Sequence, residues 1–239
     1  PLLLIVDYIS LVDSNLLSPP LAEILTYFYG ITNLIICVYE KNYVYVLHGL
    51  GRGKSAVKLL ALRLEEAGFK VERIGYKSIN QTPQNILSNV TKQINSSLPD
   101  SDYTVHFVGH SLGGLMIRAY LDSNRVENLG RVVLIGTPNQ GTPFVDKYRD
   151  SWWMKLLGPM PLALGTDENS FPNSIASPYY PVGIIAGTTV LINNEKVIPG
   201  KDDGIVPLES TKLEKMTDII ILKTNHAMLP KSRNVANQT

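Results

Sequence analysis

The run Val105-His106-Phe107-Val108-Gly109-His110-Ser111-Leu112-Gly113-Gly114-Leu115 sets a serine between two glycines at two-residue spacing. A β-rich stretch precedes it and a helical stretch follows. Strand, sharp turn and helix in that order make a nucleophile elbow, which lifts the hydroxyl of Ser111 into the open for attack on an acyl carbon. The glycines have a steric purpose, because the serine backbone is strained and larger neighbours would collide with the adjacent strand and helix. The plainer alternative is that Ser111 only caps the helix after it. A serine hydroxyl is a weak nucleophile near neutral pH, so acyl chemistry also demands a base within hydrogen-bond reach and a carboxylate to orient that base.

A second loop competes. His48-Gly49-Leu50-Gly51-Arg52-Gly53-Lys54-Ser55 misses the phosphate-cradling pattern by one residue, with His48 standing where the first glycine belongs. A nucleotide site would put Lys54 on the phosphates and Ser55 on magnesium. No apolar strand here ends in the acidic residue that supports such a metal: Arg131–Ile135 runs into Gly136-Thr137-Pro138, and Ile219–Leu222 into Lys223.

The elements that must position these residues alternate. Strands are expected at Tyr43–Leu47, Lys70–Tyr76, Thr104–Val108, Arg131–Ile135, Val182–Ala186 and Ile219–Leu222, from β-branched and apolar runs. Helices are expected at Lys54–Ala67, with Gly68 as C-cap, at Pro83–Ser97, opened by Thr82-Pro83, and at Leu112–Leu121. Such βα alternation predicts an α/β fold with a mostly parallel central sheet and helices on both faces. Ligands then meet the protein at the carboxyl ends of the strands, where both loops lie.

The sequence resembles the α/β-hydrolase superfamily over about residues 43–227, and within it the small bacterial lipases and carboxylesterases related to the GPI-inositol deacylases. The resemblance is carried by Val46-Leu47-His48-Gly49-Leu50-Gly51-Arg52, Phe107-Val108-Gly109-His110-Ser111-Leu112-Gly113-Gly114, Gly136-Thr137-Pro138-Asn139-Gln140-Gly141-Thr142, Asp202-Asp203-Gly204-Ile205-Val206-Pro207 and Asn225-His226. It implies that the loop at His48-Gly49 forms part of an oxyanion hole rather than a phosphate cradle. The family order is serine, acid, histidine. Of the four histidines only His226 follows Ser111; three residues separate it from the end of Ile219–Leu222, which puts it in a loop at a strand's carboxyl end, so it is expected to be the base. Twelve carboxylates lie between Ser111 and His226. The Asp-Gly-x-Val-Pro arrangement matches the family's acid loop at Asp203, with Asp202 the second choice, expected to be solvated or to hold the turn. The resemblance and the elbow pattern imply oxyanion donors at the amides of Leu50 and Leu112, and a structural role for His48. Asn139 stands where many relatives carry histidine, in a segment that is either a plain turn or a shaper of the site.

Between the elbow and the acid loop, Trp152, Trp153, Met154, Leu156, Leu157, Met160, Pro161 and Leu162 form an apolar stretch. It is expected to be a small cap over 144–165, with Trp152, Trp153 and Leu156 binding substrate, or else ordinary covering structure. An exposed apolar patch would also suit contact with a lipid surface or membrane. The expected activity is hydrolysis of carboxylic esters, small-molecule or lipid, through an acyl-enzyme, with no metal and no cofactor. A thioesterase or amidase on the same three side chains, or a catalytically inactive binding protein of the same fold, are the alternatives.

Composition limits what else the chain could do. A net charge of +1, from 22 Lys+Arg against 21 Asp+Glu, leaves no basic excess for nucleic acid. At 44% hydrophobic and 18% charged, the 239 residues suit one globular domain with ample core. The single Cys37 excludes an intrachain disulfide and leaves the compartment open between bacterial cytoplasm and cell envelope. Residues 1–42 read as a covering or anchoring segment ahead of a catalytic domain at 43–239: their longest uncharged stretch, Ile24–Tyr39, has 16 residues, short of the roughly 20 that span a bilayer. Asn234–Thr239 is expected to begin a final helix.

Overall fold

Tyr43, Tyr45 and Leu47 alternate with Val44 and Val46, and all five are buried, so their strand must be covered on both faces. In a computed structural model that describes residues 41–190 and 197–239, this run is β1 (Lys41–Leu47). The expected N-terminal segment lies outside the described residues up to position 40, as does most of a hairpin-like excursion expected at Leu191–Ile198. Asn42–Thr239 forms one compact unit.

Five further strands follow: β2 (Lys70–Ile74), β3 (Tyr103–His110), β4 (Leu129–Ile135), β5 (Val182–Gly187) and β6 (Asp218–Leu222). They form one parallel sheet in the order β2-β1-β3-β4-β5-β6. The chain reverses its direction of strand addition between β1 and β3, and a crevice opens at the carboxyl ends of strands flanking such a reversal. Both loops singled out in the sequence leave from those two ends.

Two helices cover one face of the sheet, α2 (Pro83–Ser97) and α3 (Leu112–Ser123). Ile86, Val90 and Ile94, at helical spacing, pack with Tyr45, Leu47, Phe107 and Leu115 in the larger core. Thr82 caps α2 by accepting from the Asn85 amide at 3.2 Å, and Pro83 takes the first turn, where no amide partner is needed. On the opposite face, α1 (Lys58–Glu66) buries Leu60 and Leu64 against Val44, Val46, Val108 and Ile135, together with Val235 from the chain end. Each such side chain contributes roughly 1.5–3 kcal/mol relative to exposure.

Several element boundaries lie one or two residues from the sequence reading, β3 and β4 among them, and two departures have a local cause. Residues Lys54–Val57 form a 3-10 turn before α1 begins, rather than one helix from Lys54. Strand β2 stops at Ile74 instead of Tyr76, because the amide of Tyr76 donates to the His48 ring at 3.3 Å and so leaves the ladder. Four short helices join β4 to β5: α4 (Pro143–Tyr148), α5 (Trp152–Leu156), α6 (Pro159–Leu162) and α7 (Phe171–Ser174). After the loop that carries Asp203 comes α8 (Leu208–Thr211), and α9 (Arg233–Gln238), capped by Ser232, is the last helix among the described residues.

Candidate active site

β3 hands the chain to α3 through Ser111, whose backbone sits at φ 55° and ψ −122°. A non-glycine residue in such a conformation costs roughly 1–3 kcal/mol and persists only where its surroundings over-determine it. Here the Ser111 amide donates to the Ile135 carbonyl at 2.8 Å, and the Ser111 carbonyl accepts from Gly114 at 3.0 Å. The glycines make room for that turn. A Cβ at Gly109 would stand 2.5 Å from Gly114 Cα, and one at Gly113 would stand 2.5 Å from the Leu47 carbonyl oxygen, closer than any real contact. Helix α3 therefore rests directly on the sheet backbone, and the Ser111 side chain points into the crevice.

His226 lies in the loop after β6 and Asp203 in the loop after β5. The His226 amide donates to the Asp203 carbonyl at 2.8 Å, which ties the two loops together. Asp203 Oδ2 is 2.7 Å from His226 Nδ1, and His226 Nε2 is 3.0 Å from Ser111 Oγ. A carboxylate can only accept, so Nδ1 carries the ring proton and Nε2 offers its lone pair to the hydroxyl. The other oxygen of Asp203 accepts from the amides of Ile205 at 3.1 Å and Val206 at 2.8 Å, which fixes the carboxylate plane. Asp202 is buried rather than solvated, with Oδ1 accepting from Gly204 at 2.7 Å, so it holds the turn that presents Asp203.

The loop after β1 is held from beneath. Fully buried His48 accepts from Tyr76 at Nε2, stands 2.9 Å from its neighbour's carbonyl at Nδ1, and stacks on the Tyr76 ring at 4.2 Å. Burial lowers its pKa, which favours the neutral ring, and the Tyr76 amide donating to Nε2 leaves the ring proton on Nδ1. Gly51 donates to Ser78 Oγ at 2.8 Å. Among the described residues, neither the Leu50 amide nor the Leu112 amide has a protein acceptor; Leu50 lines the cavity over Ser111, and Leu112 follows Ser111 directly in the chain. Lys54, the would-be phosphate lysine, lies along Gly75, where a Cβ would stand 2.6 Å from its Cε.

Three residues support the site through contacts that the sequence did not disclose, two of them, Gly136 and Asn139, in the segment weighed as a turn or a shaper of the site. His110 faces the His226 carbonyl through Nε2 at 3.1 Å, its ring 4.9 Å from that of His226. Burial, then the neighbouring His226, hold its pKa well below the usual histidine value, so it donates as a neutral ring and pins the loop that carries His226. Gly136 (φ 54°) passes behind Asp203 and His226: a Cβ there would stand 3.3 Å from Asp203 Oδ2 and 3.4 Å from His226 Nδ1. Buried Asn139 accepts from Arg118 at 3.2 Å and donates to the Thr211 carbonyl at 2.7 Å, linking α3 to α8. None of these contacts has a local signal, since each joins residues at least 21 positions apart or depends on a neighbour's backbone path.

A cavity of about 790 Å³ opens over Ser111 and His226. Phe144, Val145, Met154, Leu157, Pro161 and Leu164 wall one part of it. Of the three expected substrate-binding residues, Trp153 lines it, whereas Trp152 and Leu156 do not. Those two sit four residues apart on one side of α5 and face solvent, 74% and 65% exposed, while Met154 turns inward. Among the described residues, no cluster of His, Cys, Asp and Glu is grouped to hold a metal ion, and no helix is long and apolar enough to cross a membrane.

The model of the palmitoyl protein thioesterase family matches residues 43–177 of the chain. The mature form of Bacillus licheniformis lipase BlEst2 is similar in structure at 19% identity and a TM-score of 0.64, over 81% of this chain and 87% of that one. The metagenomic carboxyl esterase MGS0156 gives 13% identity and a TM-score of 0.62, over 80% of this chain and 66% of that one. Legionella pneumophila phospholipase PlaB gives 16% identity and a TM-score of 0.59, over 72% of this chain but 46% of its own length. At these identities the likeness establishes the α/β-hydrolase fold. No curated protein matches the chain.

Proposed function

The chain belongs to the palmitoyl protein thioesterase family on the α/β-hydrolase fold, and we propose that it is a serine hydrolase that cleaves carboxylic esters through an acyl-enzyme. The observation that carries this reading is the unbroken relay Asp203 Oδ2, His226 Nδ1, His226 Nε2, Ser111 Oγ, at 2.7 and 3.0 Å. Ser111 Oγ attacks the ester carbonyl as its proton passes to His226 Nε2. The oxygen that gains charge is met by the Leu50 and Leu112 amides, each worth roughly 3–4 kcal/mol where such donors have been measured. Collapse expels the alcohol, which takes the proton from His226, and a water activated by the same ring releases the acid. Asp203 holds the ring in the working tautomer and stabilises its charged form throughout.

An organophosphonate ester should therefore label the folded protein once, at Ser111, as read by intact mass and peptide mapping. No labelling, or labelling that persists in Ser111→Ala, removes the hydrolase reading. The family match favours a second reading on the same side chains, S-acyl thioesters as substrates, and the ratio of thioester to oxoester turnover for one acyl group decides between them.

The helices spanning 144–165 are the proposed cap, with their apolar side chains as the acyl pocket. The outward pair Trp152 and Leu156 extends that apolar surface to the exterior, where it suits contact with a lipid surface. Replacing Trp152 and Trp153 together by alanine should shift the preferred acyl chain length and lower turnover of emulsified relative to dissolved ester by about fivefold, in line with the loss of one buried ring face and one exposed ring. Rates across a chain-length series, in solution and as emulsion, check this. An unchanged series in the stably folded variant counts against the cap.

A further inference from the structure

We propose that the cavity selects esters whose alcohol or thiol side carries an anionic group, a phosphate above all, next to the apolar acyl chain; this rests on the hydrolase reading and narrows its substrate class. The cavity lining contains no Asp or Glu, yet it contains Arg52 and Lys231. Asp203 is buried behind His226 and does not reach the lining. Arg52 and Lys231 are exposed, and among the described residues neither side chain has a protein partner: Lys231 contributes only its carbonyl, to Arg63. The segments that follow and carry them, Lys54–Val57 and Leu229–Lys231, pack against each other, so the two cations belong to one part of the rim. Arg52 lies near enough to His110 for its charge to help keep that ring neutral.

The rest of the cavity complements this. Its apolar part comes from the helices α4–α6 and their flanks, and Ser111 with His226 supplies the reacting atoms. A molecule that lays its acyl chain along those helices and presents its carbonyl to Ser111 has its leaving group free to turn toward Arg52 and Lys231. A Cβ at Gly53 would meet nothing within 4 Å, so the loop beside Arg52 leaves space for a bulky group. The guanidinium binds a phosphate through two parallel donors, and no carboxylate in the cavity competes for it. The near-match to a phosphate loop at 48–55 thus finds a use through Arg52, not through Lys54, which is spent against Gly75.

A glycerophospholipid and an acyl-coenzyme A share this chemistry, and matched pairs separate them. kcat/KM is measured for octanoyl lysophosphatidylglycerol against 1-octanoylglycerol, and for octanoyl-CoA against octanoyl-pantetheine. The anionic member of at least one pair should be preferred by about tenfold, and the preference should shrink with added salt, as a partly exposed charge contact does. The pair that shows it identifies the source of the phosphate. In Arg52→Gln, and in Arg52→Gln with Lys231→Gln, the ratio within that pair should fall toward unity, whatever happens to the neutral ester. Parity in both pairs overturns the proposal, as does a preference that survives the double variant, while turnover of the neutral esters leaves the hydrolase reading standing. No turnover of any of the four, together with no phosphonate labelling, removes both.

Discussion

Replacing Ser111 by alanine is expected to lower kcat for ester hydrolysis by about four to six orders of magnitude, the range seen when the nucleophile of such a relay is removed. The prediction is sharp because the substitution takes away little else. The strain at φ 55° belongs to having a Cβ there at all, so alanine inherits it unchanged. The amide still reaches Ile135, the carbonyl still accepts from Gly114, and His226 keeps its bond to Asp203. Stability should therefore stay close to that of the parent protein, whereas Ser111→Gly should be equally inactive but more stable by about 1 kcal/mol, since glycine reaches this conformation without strain. Initial rates on a soluble ester and urea denaturation of both variants check the pair of outcomes. Residual activity within about tenfold of the parent would mean that another group attacks the ester.

How far the sequence disclosed this site depended on the range over which each residue's role is set. The elbow is local: strand, glycine, serine, glycine and helix follow one another, and the turn at Ser111 has the geometry those residue types demand. Helix α2 was equally legible, because Thr82 and Pro83 mark its start and its apolar residues recur at helical spacing. Strand ends were less so. Tyr76 has the composition of a strand residue, yet its amide is claimed by His48, 28 positions away. Side-chain direction in α5 could not be read either, since a five-residue helix exposes Trp152 and Leu156 or buries them according to what lies beneath. The supports behind the relay form the least legible layer. His110 against the His226 carbonyl, Gly136 behind Asp203, and Asn139 between Arg118 and Thr211 all come from chain segments that meet only once the sheet has assembled.

Asp203→Asn should reduce kcat by about 10⁴-fold with little loss of fold, by an effect on proton placement rather than on charge alone. An asparagine side chain has one acceptor oxygen and one donor NH₂ group. The amides of Ile205 and Val206 both donate toward Oδ1, so the amide oxygen of asparagine must take that place; reversing it would set the NH₂ group against two N–H donors. The NH₂ group is then forced to face His226 Nδ1, which must accept, and the ring proton moves to Nε2. That proton points at Ser111 Oγ, 3.0 Å away, where a lone pair is needed. The base is in place but in the wrong tautomer. Asp202→Asn provides the contrast, because its Oδ1 accepts from Gly204 and an amide oxygen can do the same, so kcat should change by no more than about threefold, as for exchange of one intact hydrogen-bond acceptor for another. Steady-state rates of the two variants, with the histidine ring proton followed by NMR in Asp203→Asn, distinguish the neighbouring carboxylates. A large loss in Asp202→Asn with near-parental activity in Asp203→Asn would reverse their assignment.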